Sequence, residues 1–205
     1  MLIILDLGAN DGCSILKFQE ILKKRKIENY KIYSFEANIY FKTKLLEKEN
    51  DKVEVIMKIA GTENRKTKLY LSQKNDKGSS VYHDKNSNNI NKNIYLNCPE
   101  VDISEFIKEI KKDNELWVKM DIEGGEYKII PHLKNNNCLN LIDKLFIEWH
   151  YDKIESISKE YHEEVYNMVK DIEQHNWCAL SYSNLYNYNY KQFLKLVKNK
   201  LNSKN

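Results

Sequence analysis

Within the first dozen residues an apolar run, Leu2-Ile3-Ile4-Leu5, meets Asp6 and opens into the glycine turn Leu7-Gly8-Ala9-Asn10-Asp11-Gly12. A short apolar run that ends in a breaker reads as a buried strand. The next apolar residues, Ile15, Phe18, Ile21 and Leu22, fall on one face of a helix extending to about residue 26. A strand that passes through a tight turn straight into a helix leaves few folds open. The helix must pack back on the sheet, the next strand must lie parallel, and the crossover must be right-handed.

The unit recurs. Residues 31–35 read as a second strand before a helix through Phe41, Leu45 and Leu46, and residues 53–59 as a third strand. Residues 66–72 then alternate like a surface strand. The stretch 73–93 is polar, with Asn at five of the eight positions from Asn86 to Asn93. So long an interval inside a domain reads as a lid, a binding loop or a disordered insert. A short strand is expected at 94–96 and a helix over 104–112 capped by Ser104. Order returns with strands at 115–121 and 145–149, a helix at 126–133, a helix from 158 to 175 and a strand at 177–182. Tyr186, Tyr188 and Tyr190 alternate with Asn as one side of an edge strand does. Residues 191–205, with five lysines and no acid, read as a solvated terminal helix. The expectation is one α/β domain over residues 1–205, with a mostly parallel sheet and helices on both faces.

Composition narrows the function classes. Lys and Arg number 33 against 30 Asp and Glu, and the net charge of +3 lacks the clustered basic face of a nucleic-acid binder. Cys13, Cys98, Cys138 and Cys178 are too scattered for a disulfide framework or a zinc site, and are expected as reduced thiols of a cytoplasmic chain. No stretch reaches membrane-spanning length.

Four segments place chemistry at strand ends. In Asp6-x-Gly8-x-Asn10-x-Gly12, the first glycine permits a sharp turn and the last a close backbone approach, while the following helix aims its N-terminus at a ligand. This is not the G-x-G-x-x-G of a dinucleotide site, which counts against a nicotinamide dehydrogenase. A cofactor carrying an amino acid's ammonium and carboxylate suits Asp6 and backbone N–H groups better. Glu36 ends the second strand, where one carboxylate can accept both hydroxyls of a ribose. Lys119 and Asp121 share a face at the end of the strand over 115–121. Glu148 and His150 share a face at the end of the strand over 145–149. In a parallel sheet all four ends converge on one rim.

These residues resemble the FkbM-type methyltransferases. The resemblance rests on Asp6-Leu7-Gly8-Ala9-Asn10-Asp11-Gly12 with Ser14, on Ser34-Phe35-Glu36-Ala37-Asn38, and on Lys119-Met120-Asp121-Ile122-Glu123-Gly124-Gly125-Glu126. Gly78-Ser79-Ser80 and Val101-Asp102-Ile103 are weaker echoes. It implies the Rossmann-like, seven-strand class I methyltransferase fold, with S-adenosylmethionine (SAM) as cofactor. The implied cofactor residues are Asp6, Gly8, Ala9, Asn10, Gly12, Ser14, Glu36, Ala37, Ala60 and Asp121, with Glu36 on the ribose and Ala37 and Ala60 near adenine. The stretch Lys58-Ile59-Ala60-Gly61 departs from the pattern in offering no acid for the adenine amino group. Only Met1 to Ile4 precede the segment that opens at Leu5, so cover over the cofactor is expected from residues 73–93, from the C-terminal third, or from another subunit.

The resemblance further implies an oxygen acceptor, a sugar or glycan hydroxyl first and another small molecule second. Such a hydroxyl is barely acidic, so a base or a metal assists its attack. The expected catalytic set is His150 as base with Glu148, Asp121 and Lys119 around it. Two carboxylates and an imidazole are adequate ligands for Mg²⁺ or Mn²⁺, although transfer without a metal is the preferred expectation. A SAM-binding subunit without catalysis of its own is the competing reading. Acceptor identity and oligomeric state have no signature here.

Overall fold

The computed structural model describes residues 1–74, 77–86, 89–177 and 188–202, with residues 188–193 described by their backbone alone. Strand β1 (Leu2–Leu7) leads through the glycine turn into helix α1 (Cys13–Lys24), then β2 (Tyr30–Phe35), α2 (Lys42–Leu46) and β3 (Val53–Ile56). After β4 (Ile59–Gly61), β5 (Lys66–Tyr70), β6 (Tyr95–Asp102) and α3 (Ile103–Lys111), the chain returns to the main sheet as β7 (Glu115–Met120). Helix α4 (Glu126–Asn135), β8 (Lys144–Ile147), α5 (Lys159–Val169), β9 (Glu173–Asn176) and α6 (Tyr188–Asn202) complete it.

Among the described residues the main sheet has six strands in the order β3-β2-β1-β7-β8-β9, and every pairing in it is parallel. It is the mixed α/β, Rossmann-like architecture expected, one strand short of seven. Strand β1 is buried on both faces, as a central parallel strand must be. Ile3, Leu5 and Leu7 face the core built with α3, α4 and α5. Leu2 and Ile4 face Ile15, Phe18 and Leu22 of α1 and Leu45 of α2. A second sheet, ordered β4-β6-β5, stands beside the first and packs Ile59, Leu69 and Cys98 against Leu194 and Val197 of α6.

Several expectations need correction. The strand expected over 53–59 is two strands, β3 in the main sheet and β4 in the second, joined at Met57 and Lys58. The strand at 94–96 extends to Asp102, its pattern interrupted by Pro99 on the antiparallel β5 side. Asp102, not Ser104, caps α3, accepting from the N–H groups of Ser104 and Glu105. The helix expected to run to residue 175 stops at Val169, and Glu173–Asn176 becomes an edge strand whose polar sequence disguised it. Tyr188 and Tyr190 open α6 and do not lie on an edge strand. Tyr186, Cys178 and the strand expected beyond Trp177 fall outside the described residues. The basic tail is helical, but Leu194 and Val197 bury one face of it. Among the described residues no helix is long and apolar enough to cross a membrane.

Ile4 is completely buried between the central strand and α1. Ile4→Ala should therefore cost about 2–5 kcal/mol of unfolding free energy, read as a lower urea midpoint at unchanged slope.

Candidate functional site

The sheet order reverses beside β1. From β1 the chain builds outward through β2 to β3, then crosses back to lay β7, β8 and β9 on the other side. The carboxyl ends of β1 and β7 therefore splay open, and this is where open α/β sheets bind ligands. A cavity of about 600 Å³ occupies the place, a volume typical of small-molecule sites.

Gly8 makes the first wall possible. It has φ +86°, and a Cβ there would collide with the carbonyl oxygen of Asp121. The turn is pinned to β2, because the N–H groups of Gly8 and Ala9 both donate to the Phe35 carbonyl at 3.0 and 2.9 Å. Gly8, Ala9, Asn10 and Ser14 line the cavity. Gly12 lies outside the lining and serves as the left-handed N-cap of α1 (φ 82°).

Asp6 has no exposed surface and does not line the cavity. One carboxylate oxygen accepts from Ser14 Oγ at 2.6 Å and from Ser34 Oγ at 3.1 Å. The other faces Lys119 Nζ at 3.3 Å. Its expected place among the cofactor contacts is thus corrected: the acid ties strand, turn and helix together. Lys119 donates in turn to the carbonyls of Gly8 at 2.6 Å and Leu7 at 3.3 Å. Burial opposes its charge, but Asp6 and then Asp121 outweigh that and hold its pKa above the usual lysine value.

Glu36 lines the same cavity, as do Ala37 and Ala60. Its Oε2 accepts from Asn10 N–H at 2.8 Å and its Oε1 from Asn38 N–H at 2.7 Å. Each oxygen keeps a second lone pair for a ligand. Burial raises its pKa, against the lowering effect of the two backbone bonds.

Part of the cavity lining is acidic: Asp121, Glu123 and Glu148 belong to it, together with Gly78 and Ser79 from the polar insert. Burial lifts Asp121 to about 6, with the nearby Glu148 and Glu123 pushing the same way against Lys119 and His150. His150 lies just behind the lining and is fully buried. Burial alone would hold its imidazole neutral, but Glu126, Glu123 and Asp121 reverse this and raise it to about 9. A pKa raised in this way disfavours the role of base expected for His150. Asp121, Glu123 and His150 each offer one ligand atom within 4.8 Å of the others.

The insert is better ordered than its composition promised. Ser80 bridges to Tyr70 of β5, and its hydroxyl donates to the Glu123 carbonyl at 2.6 Å. Lys85 is buried, donates to the Gly78 carbonyl at 3.0 Å and pairs with the Glu123 carboxylate. Sequence reasoning did not single out Lys85, and nothing distinguished it among so many lysines. Glu123 and Glu126 were legible as neighbours in the Asp121–Glu126 segment, though not as members of the site. Trp177, under the Lys17 ammonium at 3.9 Å, also lines the cavity and carried no signal.

The family model of the methyltransferase FkbM domain matches residues 6–176. The chain belongs to the FkbM methyltransferase family. Among solved structures it is similar to the crystal structure of a methyltransferase FkbM from Methylobacillus flagellatus KT, at 13% identity and a TM-score of 0.51. The match covers 86% of this chain and 40% of that one, so this chain spans well under half of its neighbour's length. At that identity the likeness is one of fold. No curated protein matches the sequence. The FkbM domain thus begins at the acid of β1 and ends with β9, enclosing every cavity-lining residue except Trp177.

The protonated His150 has a consequence for stability. A histidine raised from 6.5 to about 9 on folding contributes stability that is fully present below pH 6.5 and lost as pH rises toward 9. In chelator-treated protein, urea titrations should show wild type losing up to about 3 kcal/mol over that window, with His150→Gln losing much less.

Proposed function

We propose that this chain is a SAM-dependent O-methyltransferase acting on a hydroxyl, with sugars and glycans as the favoured acceptor class. The observation that carries the reading is the single cavity at the sheet's switch point, whose lining holds two kinds of group. Backbone turns and the two-lobed Glu36 carboxylate suit a nucleoside joined to an amino acid. The carboxylates of Asp121, Glu123 and Glu148 and the Ser79 hydroxyl suit a polyol. Membership of the FkbM family supports methyl transfer.

Transfer is an in-line displacement. As the acceptor oxygen forms its bond to the methyl carbon, the carbon–sulfur bond breaks, the electron pair stays on sulfur, and the hydroxyl proton leaves to a carboxylate. Asp121 and Glu148 line the cavity and are placed to take it. The fixed turn and the buried Lys119 hold the geometry, and orientation supplies much of the rate in such reactions.

Calorimetric titration with SAM should give micromolar binding, and Glu36→Gln should weaken it about tenfold, roughly 1.4 kcal/mol. Glu148→Gln should leave SAM affinity within a factor of about two while lowering turnover about a hundredfold on a responsive glycan. Absence of SAM binding in folded protein would sink the proposal. Binding without methyl release on any acceptor of a broad panel would favour a SAM-binding subunit.

A further inference from the structure

His150 stands at the carboxyl end of β8 with no exposed surface, and neither ring nitrogen has a hydrogen-bond partner. Its Nε2 is aimed into a group of carboxylates, with Glu123 Oε2 at 3.4 Å, Glu148 Oε1 at 3.6 Å and Asp121 Oδ1 at 3.8 Å. These separations exceed a normal N–H···O bond, which spans about 2.7–3.2 Å. They do fit neighbouring ligands around one ion, since bonds of about 2.1 Å put adjacent ligand atoms roughly 3 Å apart and opposite ones a little over 4 Å.

The far side of the ring is arranged to match. Nδ1 faces Glu126 Oε1 at 3.3 Å. Glu126 is itself held by the N–H groups of Ile122 and Gly124, both at 2.9 Å. A carboxylate that fixes one ring nitrogen so that the other points at a cation is the usual support behind a metal-bound histidine. Charge agrees as well. Asp121, Glu123, Glu126 and Glu148 bring four negative charges, and Lys85 and Lys153 pair with two of these acids. With His150 as a neutral ligand, two negative charges remain, which one divalent ion neutralises. Lys119 is engaged chiefly with Asp6.

We propose that Asp121, Glu123 and His150 form a site for a divalent first-row transition ion, with Glu148 in reach as a further ligand. One imidazole nitrogen among carboxylates suits Mn²⁺, Fe²⁺ or Co²⁺ better than Ca²⁺. Lys85, brought in by the polar insert, pairs with the same Glu123 oxygen, Oε2, that faces His150, so an ion bound here shares that oxygen with the ammonium or takes Oε1. Three of the four acids line the cavity, so positions left open on the ion face into it. Any use of the ion in polarising an acceptor hydroxyl rests on the methyl-transfer reading, whereas the site itself does not.

The test titrates Mn²⁺ into chelator-stripped full-length protein and follows the free-ion electron paramagnetic resonance signal. One ion per chain should be taken up with micromolar affinity. Folded His150→Gln and Asp121→Asn should each weaken uptake at least tenfold, while Glu173→Gln, at a remote surface pair, should not. Co²⁺ should develop a visible absorption that His150→Gln changes in shape and intensity. If His150→Gln does not fold, Glu123→Gln replaces it in both measurements. A fully free Mn²⁺ signal at millimolar ion in folded protein would overturn the proposal, as would uptake unchanged in the folded variants. SAM titration on the same samples separates the two readings. Ion uptake without SAM binding upholds the site and sinks the methyltransferase, and the reverse result sinks the site alone.

Discussion

The Asp6–Lys119 pair is the interaction on which the rest of the site depends. The two residues are register partners on adjacent parallel strands, at the point where the sheet order reverses. A charged pair so buried depends on further partners: Asp6 Oδ2 has two of them, while Oδ1 has, among the described residues, only the facing ammonium, at 3.3 Å. The carboxylate takes hydroxyl donors from Ser14 at the start of α1 and Ser34 on β2. The ammonium takes the carbonyls of Leu7 and Gly8. One ion pair thus fixes β1, β2, β7 and α1 relative to each other and sets the shape of the turn that faces the ligand. Removing either partner leaves a buried charge, so this position trades tolerance to substitution for a rigid cavity floor.

Much of the architecture was legible because it depends on short-range patterns. Strands β1, β2 and β7 are apolar runs, and α1 and α4 carry their buried residues at helical spacing. What escaped the pattern is what tertiary pairing decides. Glu173–Asn176 has no apolar residue, yet pairs in register with β8 and is held by the Lys144–Glu173 ion pair and by His175 stacked on Phe146. The division of residues 53–59 between two sheets is likewise invisible locally, since both halves are acceptable strand sequence. Asp102 and Ser104 are both good caps on paper. Asp102 wins by accepting two N–H groups while also holding His132.

The candidate site divides in the same way. Strand ends are found by periodicity, and Glu36, Lys119, Asp121 and Glu148, all at or just past strand ends, do line one cavity, with His150 just behind it. Whether a side chain at a strand end faces the ligand or the protein is set by the partners it meets. Asp6 meets two hydroxyls and an ammonium and turns inward. His150 meets four acids, and they raise its pKa against the effect of burial. Lys85 comes from some forty residues away along the chain, out of a stretch whose Asn and Lys content hid it. The approach of that stretch to Glu123 depends on the bridges at Ser80 and Lys85, which no local propensity encodes.

Charge also limits what the cavity can do well. In the proposed reaction a cationic sulfonium becomes neutral as the methyl leaves, so positive charge moves from sulfur toward the acceptor oxygen and departs with its proton. A uniformly negative cavity would hold the starting cation more tightly than the transition state and would slow the step. The lysine cations of this site are tied to its acids: Lys119 to Asp6 and Lys85 to Glu123. They let those acids be buried, and by the same pairing they offset part of the pull that a purely negative cavity would exert on the starting cation.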